Sequence, residues 1–517
     1  MVEKHIVFID DGVNDARSMF TFLYDLEISA DHANFTNRES YDRSKSSHGT
    51  ICAHIVNAYY PHFLCSSLKI LDDETKKCNI DALRAALEWC LEQKVDIVNI
   101  SLGSTDYRDE RKLLPLVNRL AHKGVTLVCA VSNSHEATYP ASFCNVIGVV
   151  SSTLSDQEKV LFCNASAGGI DIAVPSNHLV APVSGQIRDT GIANSYAAPY
   201  AVALICIAFN DTRIPDNETV KRRLMSLSEN GSGSRRVSCI RFDWAMNVSI
   251  VSTDLFLPEG LPFEVTAFRH RNTSSPLFCL EHIPHDTADT VVFIWREALP
   301  EKEKQVAVDV VAGTGKHIVI IDDYPSVSPD FSQCRGKVWY SGDWQPFFHK
   351  EAATGTALSV PLLVVYDNHR ERLLEISTHL ANSFREAGYN AMLSSSDPLI
   401  ALKGHFYIPY LQTGDTRFLC YLQNFYRADL LICGVCIGQD SPEAYVRYFT
   451  QLSADISVGF VDIGRNTDKE VVYVHVQDGG DFQNDSLNLM IEETNFTADA
   501  VFSLLLPLLE QGGAACV

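Results

Sequence analysis

The sequence predicts an α/β protein built on parallel sheets with helices on both faces, and three observations carry that reading. From Lys4 to about Ser228, short β-branched runs alternate with amphipathic segments in a strand–helix–strand rhythm. The runs are continuously apolar, as strands buried on both faces must be. The rhythm stops at the Gly/Ser-rich ENGSGSRR (229–236) and then resumes, so the chain divides into more than one such body.

Taken in order, HIVFI (5–9) reads as the first strand. ALRAALEWCLEQK (82–94) reads as a helix, with Leu83, Ala86, Leu87, Cys90 and Leu91 on one face and Asn79 or Asp81 available as its cap. VDIVNISLG (95–103), VTLVCAVS (125–132) and VIGVVSS (146–152) follow as buried strands. The middle segment repeats the pattern with TVVFIW (290–295), a Glu/Lys-rich helix over 300–311, and HIVIID (317–322). Its GTGKH (313–317) resembles the end of a phosphate-binding loop, but it follows a helix and precedes a strand. The order is the reverse of what such a loop needs, so it reads as a helix stop and a turn.

From Pro361 the order is strand, loop, helix: PLLVVY (361–366), DNHRER (367–372), then a helix striped by Leu373, Ile376, Leu380 and Phe384 and closed at Gly388. DLLICGVCIG (429–438), a helix begun by Ser441-Pro442, ISVGFVDIG (456–464) and EVVYVHV (470–476) continue it. This is a P-loop-like or Rossmann-like pattern whose loop has lost the glycines and lysine that hold phosphate. At roughly 150 residues per domain, 517 residues make about three. The expected division is 1–235, 236–355 and 356–517.

Composition excludes several classes of function. Lys and Arg number 42 against 64 Asp and Glu, a net charge of −22, which repels nucleic acid and anionic membranes alike. The apolar run at the N-terminus is too short for a secretion signal, and Tyr196–Phe209 suits a core helix better than a membrane span. The 15 cysteines are then read as reduced thiols of a cytoplasmic protein. Cys433 and Cys436 have redox-motif spacing, but three apart on a strand they point to opposite faces. Glu281-His282 and His285-Asp286 read as a surface turn. No metal and no cofactor are expected.

The chemistry gathers in four strings: FIDDG (8–12), SSHGT (46–50), VCAVSN (128–133) and ANSYAAP (193–199). Each places a polar residue where it can reach the carboxyl edge of a parallel sheet. A serine hydroxyl becomes a nucleophile when an imidazole takes its proton, and a carboxylate holds that imidazole. An asparagine amide at a strand end can donate to the resulting oxyanion.

The chain order Asp, His, Ser is that of subtilisin. On these strings, together with VDIVNISLG and TYPASFCNVIGV, residues 1 to about 228 resemble a subtilisin-like serine peptidase. The resemblance makes Asp10 the triad carboxylate, with Asp11 beside it, His48 the base and Ser195 the nucleophile. It places the oxyanion donor at Asn133 and lines the substrate cleft with Ser101, Leu102, Gly103, Ser132 and Thr138. Thr138 matches a position that is Gly at the base of the first specificity pocket, and Lys76 and Lys77 match the opposite rim. The family's looped calcium site is missing between Ser67 and Asp81, and no inhibitory propeptide is expected before residue 5. Four residues depart from the family pattern the resemblance implies: Ala193 and Asn194 stand where it has Gly and Thr before the nucleophile, Tyr196 where it has Met, and Ser132 where it has the Gly before the oxyanion asparagine.

The resemblance implies a serine endopeptidase acting on a peptide substrate. In architecture the chain also resembles, loosely, the proteases that remove leaders from ribosomally made modified peptides. Two alternatives stand beside that reading: a general intracellular protease, and a subtilisin shell kept as a binding scaffold. No nucleic acid or membrane partner is expected, and the oligomeric state is left open.

Overall fold

The computed structural model describes residues 2–14, 19–29, 34–38, 46–134, 136–152, 160–162, 170–181, 187–228, 240–270, 280–343, 358–367, 369–409, 416–436, 456–462, 470–476, 487–493 and 498–513. The break at 229–236 and the helix expected from Ser441-Pro442 lie outside the described residues. Contacts divide the chain into two units, Met1–Cys239 with Asp243–Ala245 and Ile240–Phe242 with Met246–Val517. Among the described residues, no helix is long and apolar enough to cross a membrane.

In the first unit the strands are β1 (Lys4–Asp10), β2 (Thr21–Ile28), β3 (Phe35–Asn37), β4 (Phe63–Lys69), β5 (Ile97–Ile100), β6 (Thr126–Ala130), β7 (Ile147–Ser151), β8 (Leu161–Phe162) and β9 (Ile172–Val174). They form one sheet in the order β3-β2-β4-β1-β5-β6-β7-β9-β8, and a small hairpin of β10 (Leu179–Val180) and β11 (Arg188–Asp189) stands apart. Neighbours are parallel from β2 through β9, and only the two edge pairs, β2–β3 and β8–β9, run antiparallel. Among the described residues, five α-helices cover it: α1 (His48–Tyr59), α2 (Ile80–Glu92), α3 (Glu110–His122), α4 (Asn194–Ala208) and α5 (Asn217–Leu227).

The strands are buried on both faces, which is why their sequences read as unbroken apolar runs. Ile6 and Phe8 of β1 share a core with Ala53 and Val56 of α1 and with Ala201, Val202 and Ile205 of α4. Val7 and Ile9 point the other way and are equally buried. The expected helix at 82–94 begins two residues earlier, at Ile80, because Asn79 caps it by accepting the Asp81 N–H at 3.1 Å.

In the second unit, β12 (Asn247–Ser252), β13 (Glu264–His270), β14 (Thr290–Trp295), β15 (His317–Asp322) and β16 (Val338–Tyr340) form a parallel sheet in the order β13-β12-β14-β15-β16, with α6 (Glu301–Ala312) between β14 and β15. GTGKH is the turn that follows α6: Gly315 has φ +78°, and the Lys316 ammonium binds the Asp286 carboxylate at 2.5 Å and the Ala288 carbonyl at 2.8 Å.

The second sheet of this unit has the order β19-β18-β20-β17-β21-β22-β23. Its strands are β17 (Leu362–Asp367), β18 (Ala391–Ser395), β19 (Phe406–Tyr407), β20 (Leu430–Cys436), β21 (Ile456–Asp462), β22 (Glu470–Val476) and β23 (Leu487–Glu493). Helices α7 (Arg370–Glu386), α8 (Arg417–Phe425) and α9 (Ala498–Gly513) accompany it. The parallel pattern stops at β21: β22 and β23 add as an antiparallel ribbon. Where a phosphate-binding loop would feed α7, the arginines of its first turn are bound by carboxylates. Arg370 forks between Asp323 (2.9 Å) and Asp397 (2.8 Å), and Arg372 binds Asp367 at 2.6 and 2.9 Å.

One buried ion pair fixes α5 to the first sheet. Lys221 Nζ lies 2.8 Å from Asp171 Oδ1, with the two side chains only 2% and 1% exposed, and it also donates to the Cys144 carbonyl at 2.9 Å. Asp171 Oδ2 accepts the Gly148 N–H beside β7 at 2.9 Å. Removing one partner leaves a charge without its counter-ion in a water-free interior. Lys221→Met is therefore expected to lower stability by about 3–5 kcal/mol in urea titration. Lys221→Met combined with Asp171→Leu should recover most of that loss; a double variant as unstable as the single one would contradict the assignment.

Candidate active site

Parallel pairing sets the carboxyl ends of β1, β5, β6 and β7 side by side, and two helix N-termini meet them there. Asp10 closes β1 and is 1% exposed. His48 opens α1, whose N-cap is Ser47. The residue after Asp10 finishes that cap: Asp11 accepts the His48 N–H at 3.1 Å and the Gly49 N–H at 2.8 Å. A carboxylate at this end of a helix satisfies orphan donors and complements the dipole. Gly49 has no substitute here, since a Cβ would lie 2.8 Å from the Gly12 carbonyl oxygen and 3.1 Å from Asp10 Cβ. Gly12 itself turns the chain at φ +92° beneath the Arg38 guanidinium.

The result is a continuous hydrogen-bonded relay. His48 Nδ1 lies 2.9 Å and 3.1 Å from the two Asp10 carboxylate oxygens, and His48 Nε2 lies 3.0 Å from Ser195 Oγ. Ser195 is the second residue of α4, and Pro199 sits four residues on. Proline has no N–H to give, so the Ser195 carbonyl lacks its helical partner. Ser101 fills the vacancy, donating its hydroxyl to that carbonyl at 3.0 Å while accepting the Asn99 amide at 2.9 Å. The Ser195 carbonyl is thus tied to the end of β5 rather than to its own helix.

Asn133 lies exposed in the turn after β6, and its Oδ1 accepts the Asn194 N–H at 3.1 Å. Among the described residues neither the Ser195 N–H nor the Asn133 Nδ2 has an acceptor. Leu102 and Gly103 continue from β5, and among the described residues their backbone groups are likewise unpaired. Ser104 then bridges Tyr139 in antiparallel fashion, at 2.9 and 2.8 Å. Ser132 donates its N–H to Thr138 Oγ1 at 2.8 Å. Thr138 is 3% exposed, with its methyl pressed against Gly103, where a Cβ would come within 2.5 Å of it. Lys76 reaches Asp11 Oδ2 at 3.5 Å with most of its side chain in water, and Lys77 is exposed.

Two neighbours complete the surroundings: Cys52, which was not singled out from the sequence, and Tyr196, which was. Cys52, one turn along α1 from His48, is fully buried with Sγ 3.9 Å from His48 Nδ1, 4.0 Å from Asp10 Oδ2 and 3.5 Å from Ser101 Oγ. Its i+4 spacing from His48 is the signal that would have found it. Among the described residues, Asp10, His48 and Cys52 are the one group of such side chains close enough to share a cation. An ion there would take His48 Nδ1 from Asp10, and so compete with the relay. The second neighbour is Tyr196, whose ring lies over His48 with centroids 5.1 Å apart.

Burial disfavours the His48 imidazolium, while the Cys52 sulfur and the Asp10 carboxylate favour it; the balance raises its pKa above the usual 6.5. Burial also pushes the Cys52 thiol up.

Residues 5–240 match the subtilase family. The minor extracellular protease Epr of Bacillus subtilis is 24% identical over 242 residues, covering 44% of this chain and 36% of that protein. The major intracellular serine protease of Bacillus subtilis is 29% identical over 171 residues, covering 30% of this chain and 52% of that protein. The chain therefore spans about a third to a half of the length of these relatives. Among solved structures, the prenylagaramide maturation protease PagA aligns at 18% identity with a TM-score of 0.32, over 43% of this chain and 82% of that one.

A base must be neutral to take a proton, so a raised His48 pKa moves the onset of activity upward in pH. The acid limb of kcat/KM for a peptide ester should be centred above pH 6.5. A limb at or below 6.5 would contradict this electrostatic assignment.

Proposed function

Because residues 5–240 are a subtilase domain, we propose that this chain is a serine endopeptidase with Ser195 as nucleophile. The observation that carries the reading is the relay from Asp10 through His48 to Ser195, at 2.9 and 3.0 Å, beside an unused N–H at Ser195. Ser195 Oγ attacks the scissile carbonyl as His48 Nε2 takes its proton, and the carbonyl oxygen gains the negative charge. The Ser195 N–H and Asn133 Nδ2 receive that charge, and Asp10 steadies the imidazolium through Nδ1. His48 then protonates the leaving amine, and water attacks the acyl-enzyme by the same steps in reverse. The substrate lies extended along Leu102 and Gly103, whose free backbone groups pair with it as an added strand.

The substrate reading is narrower: removal of a leader from a ribosomally made precursor peptide, in the cytoplasm. It is supported by the departures around the nucleophile, where Asn194 and Tyr196 replace the residues of broad proteases. The second unit also supports it, as a body much larger than peptide hydrolysis requires.

Ser195→Ala and His48→Ala should each reduce kcat on a peptide ester by about 10⁶, and the double variant should be no worse, because the triad acts as a unit. Digestion of a proteome-derived peptide library, followed by mass spectrometry, separates the substrate classes. Sparse cuts at a restricted sequence support the dedicated maturation reading. Abundant cuts in unrelated peptides would sink it in favour of a general protease, and an inert wild type would leave only the scaffold.

A further inference from the structure

We propose that Asn194 is a positioning residue that pre-organises the oxyanion donor, an inference that rests on the peptidase reading above. Asn194 precedes the nucleophile and opens α4, with only 6% of its surface exposed. Its side-chain Oδ1 accepts the Ser151 N–H at the end of β7, at 2.7 Å. Its Nδ2 donates to the Val131 carbonyl at 3.0 Å and to the Ser132 carbonyl at 3.1 Å, in the segment that runs from β6 into Asn133. Its backbone N–H completes the set at Asn133 Oδ1.

These partners fix both amide orientations. Asn194 faces one donor with its oxygen and two carbonyls with its nitrogen, so a flipped carboxamide would oppose like to like at all three contacts. Asn133 must give its oxygen to the Asn194 N–H, which leaves Nδ2 as the group free to meet the developing oxyanion. The need for such a brace is plain from exposure: Asn133 stands in solvent, and its amide would otherwise turn freely and lose orientational entropy at the moment of reaction. The threonine of the family pattern at this position has one hydroxyl on a shorter stem. That group cannot span two strand ends at once, so this substitution changes how the hole is built.

The prediction is coupling between Asn194 and Asn133, read as a double-variant cycle on kcat for a chromogenic peptide ester. Asn194→Ala should lower kcat by about 10–100-fold, less than the 10²–10³ typical of losing the donor itself, with KM within about threefold. In the Asn133→Ala background the same change should cost less than about threefold, because there is no donor left to position. Asn194→Thr, which keeps a small polar residue, is carried through the same cycle, and thermal midpoints identify any variant that fails to fold. Equal losses in both backgrounds, or a loss confined to KM, would overturn the proposal while leaving the peptidase reading intact. A folded wild type inert toward the ester would overturn both together.

Discussion

The site depends on how closely the first turn of α1 can approach the end of β1. The His48–Asp10 hydrogen bond of 2.9 Å exists because Gly49 presents no side chain to the Gly12 carbonyl and the Asp10 Cβ. Asp11 then draws the helix in by taking its first two N–H groups. Two adjacent carboxylates so near His48 have a cost in mutual repulsion. Asp11 meets it with backbone donors and Lys76, and the Arg38 guanidinium covers the Gly12 turn beside them. Local sequence, DDG followed later by HGT, is therefore as much about steric approach as about proton transfer.

The Ser195 side of the cleft is held by a different logic. Pro199 frees the Ser195 carbonyl, and Ser101 takes it, so α4 is tethered to β5 through Ser195. Asn194 adds tethers to the ends of β6 and β7. Three strand ends thus converge on two consecutive residues, in a fold whose parallel order places those ends together. Helix propensity contributes little to this arrangement, and the strands contribute most of it.

Much of this was legible in the sequence, and the part that was not has a common physical character. The strands at β1, β5, β6 and β7 announced themselves because burial on both faces forces unbroken apolar runs. Asp10, His48, Asn133 and Ser195 were legible because each ends such a run or opens a helix, and their order was informative. The β2–β3 hairpin and the antiparallel ribbon of β22 and β23 were not, since edge strands mix polar and apolar residues and β22 resembles the parallel strands of its sheet in composition. The Lys221–Asp171 pair joins residues 50 apart and has no local signature. Asn194 was visible as a departure, yet what it does depends on carbonyls from a strand end more than 60 residues earlier.

The most direct test of the account is intact-mass spectrometry of the folded protein after exposure to a fluorophosphonate. This reagent reacts only with a serine whose proton can be taken and whose oxyanion is received. The account predicts one adduct per chain, mapped to Ser195 and missing in Ser195→Ala. No adduct on folded wild type, under conditions that saturate a control subtilisin, would contradict it.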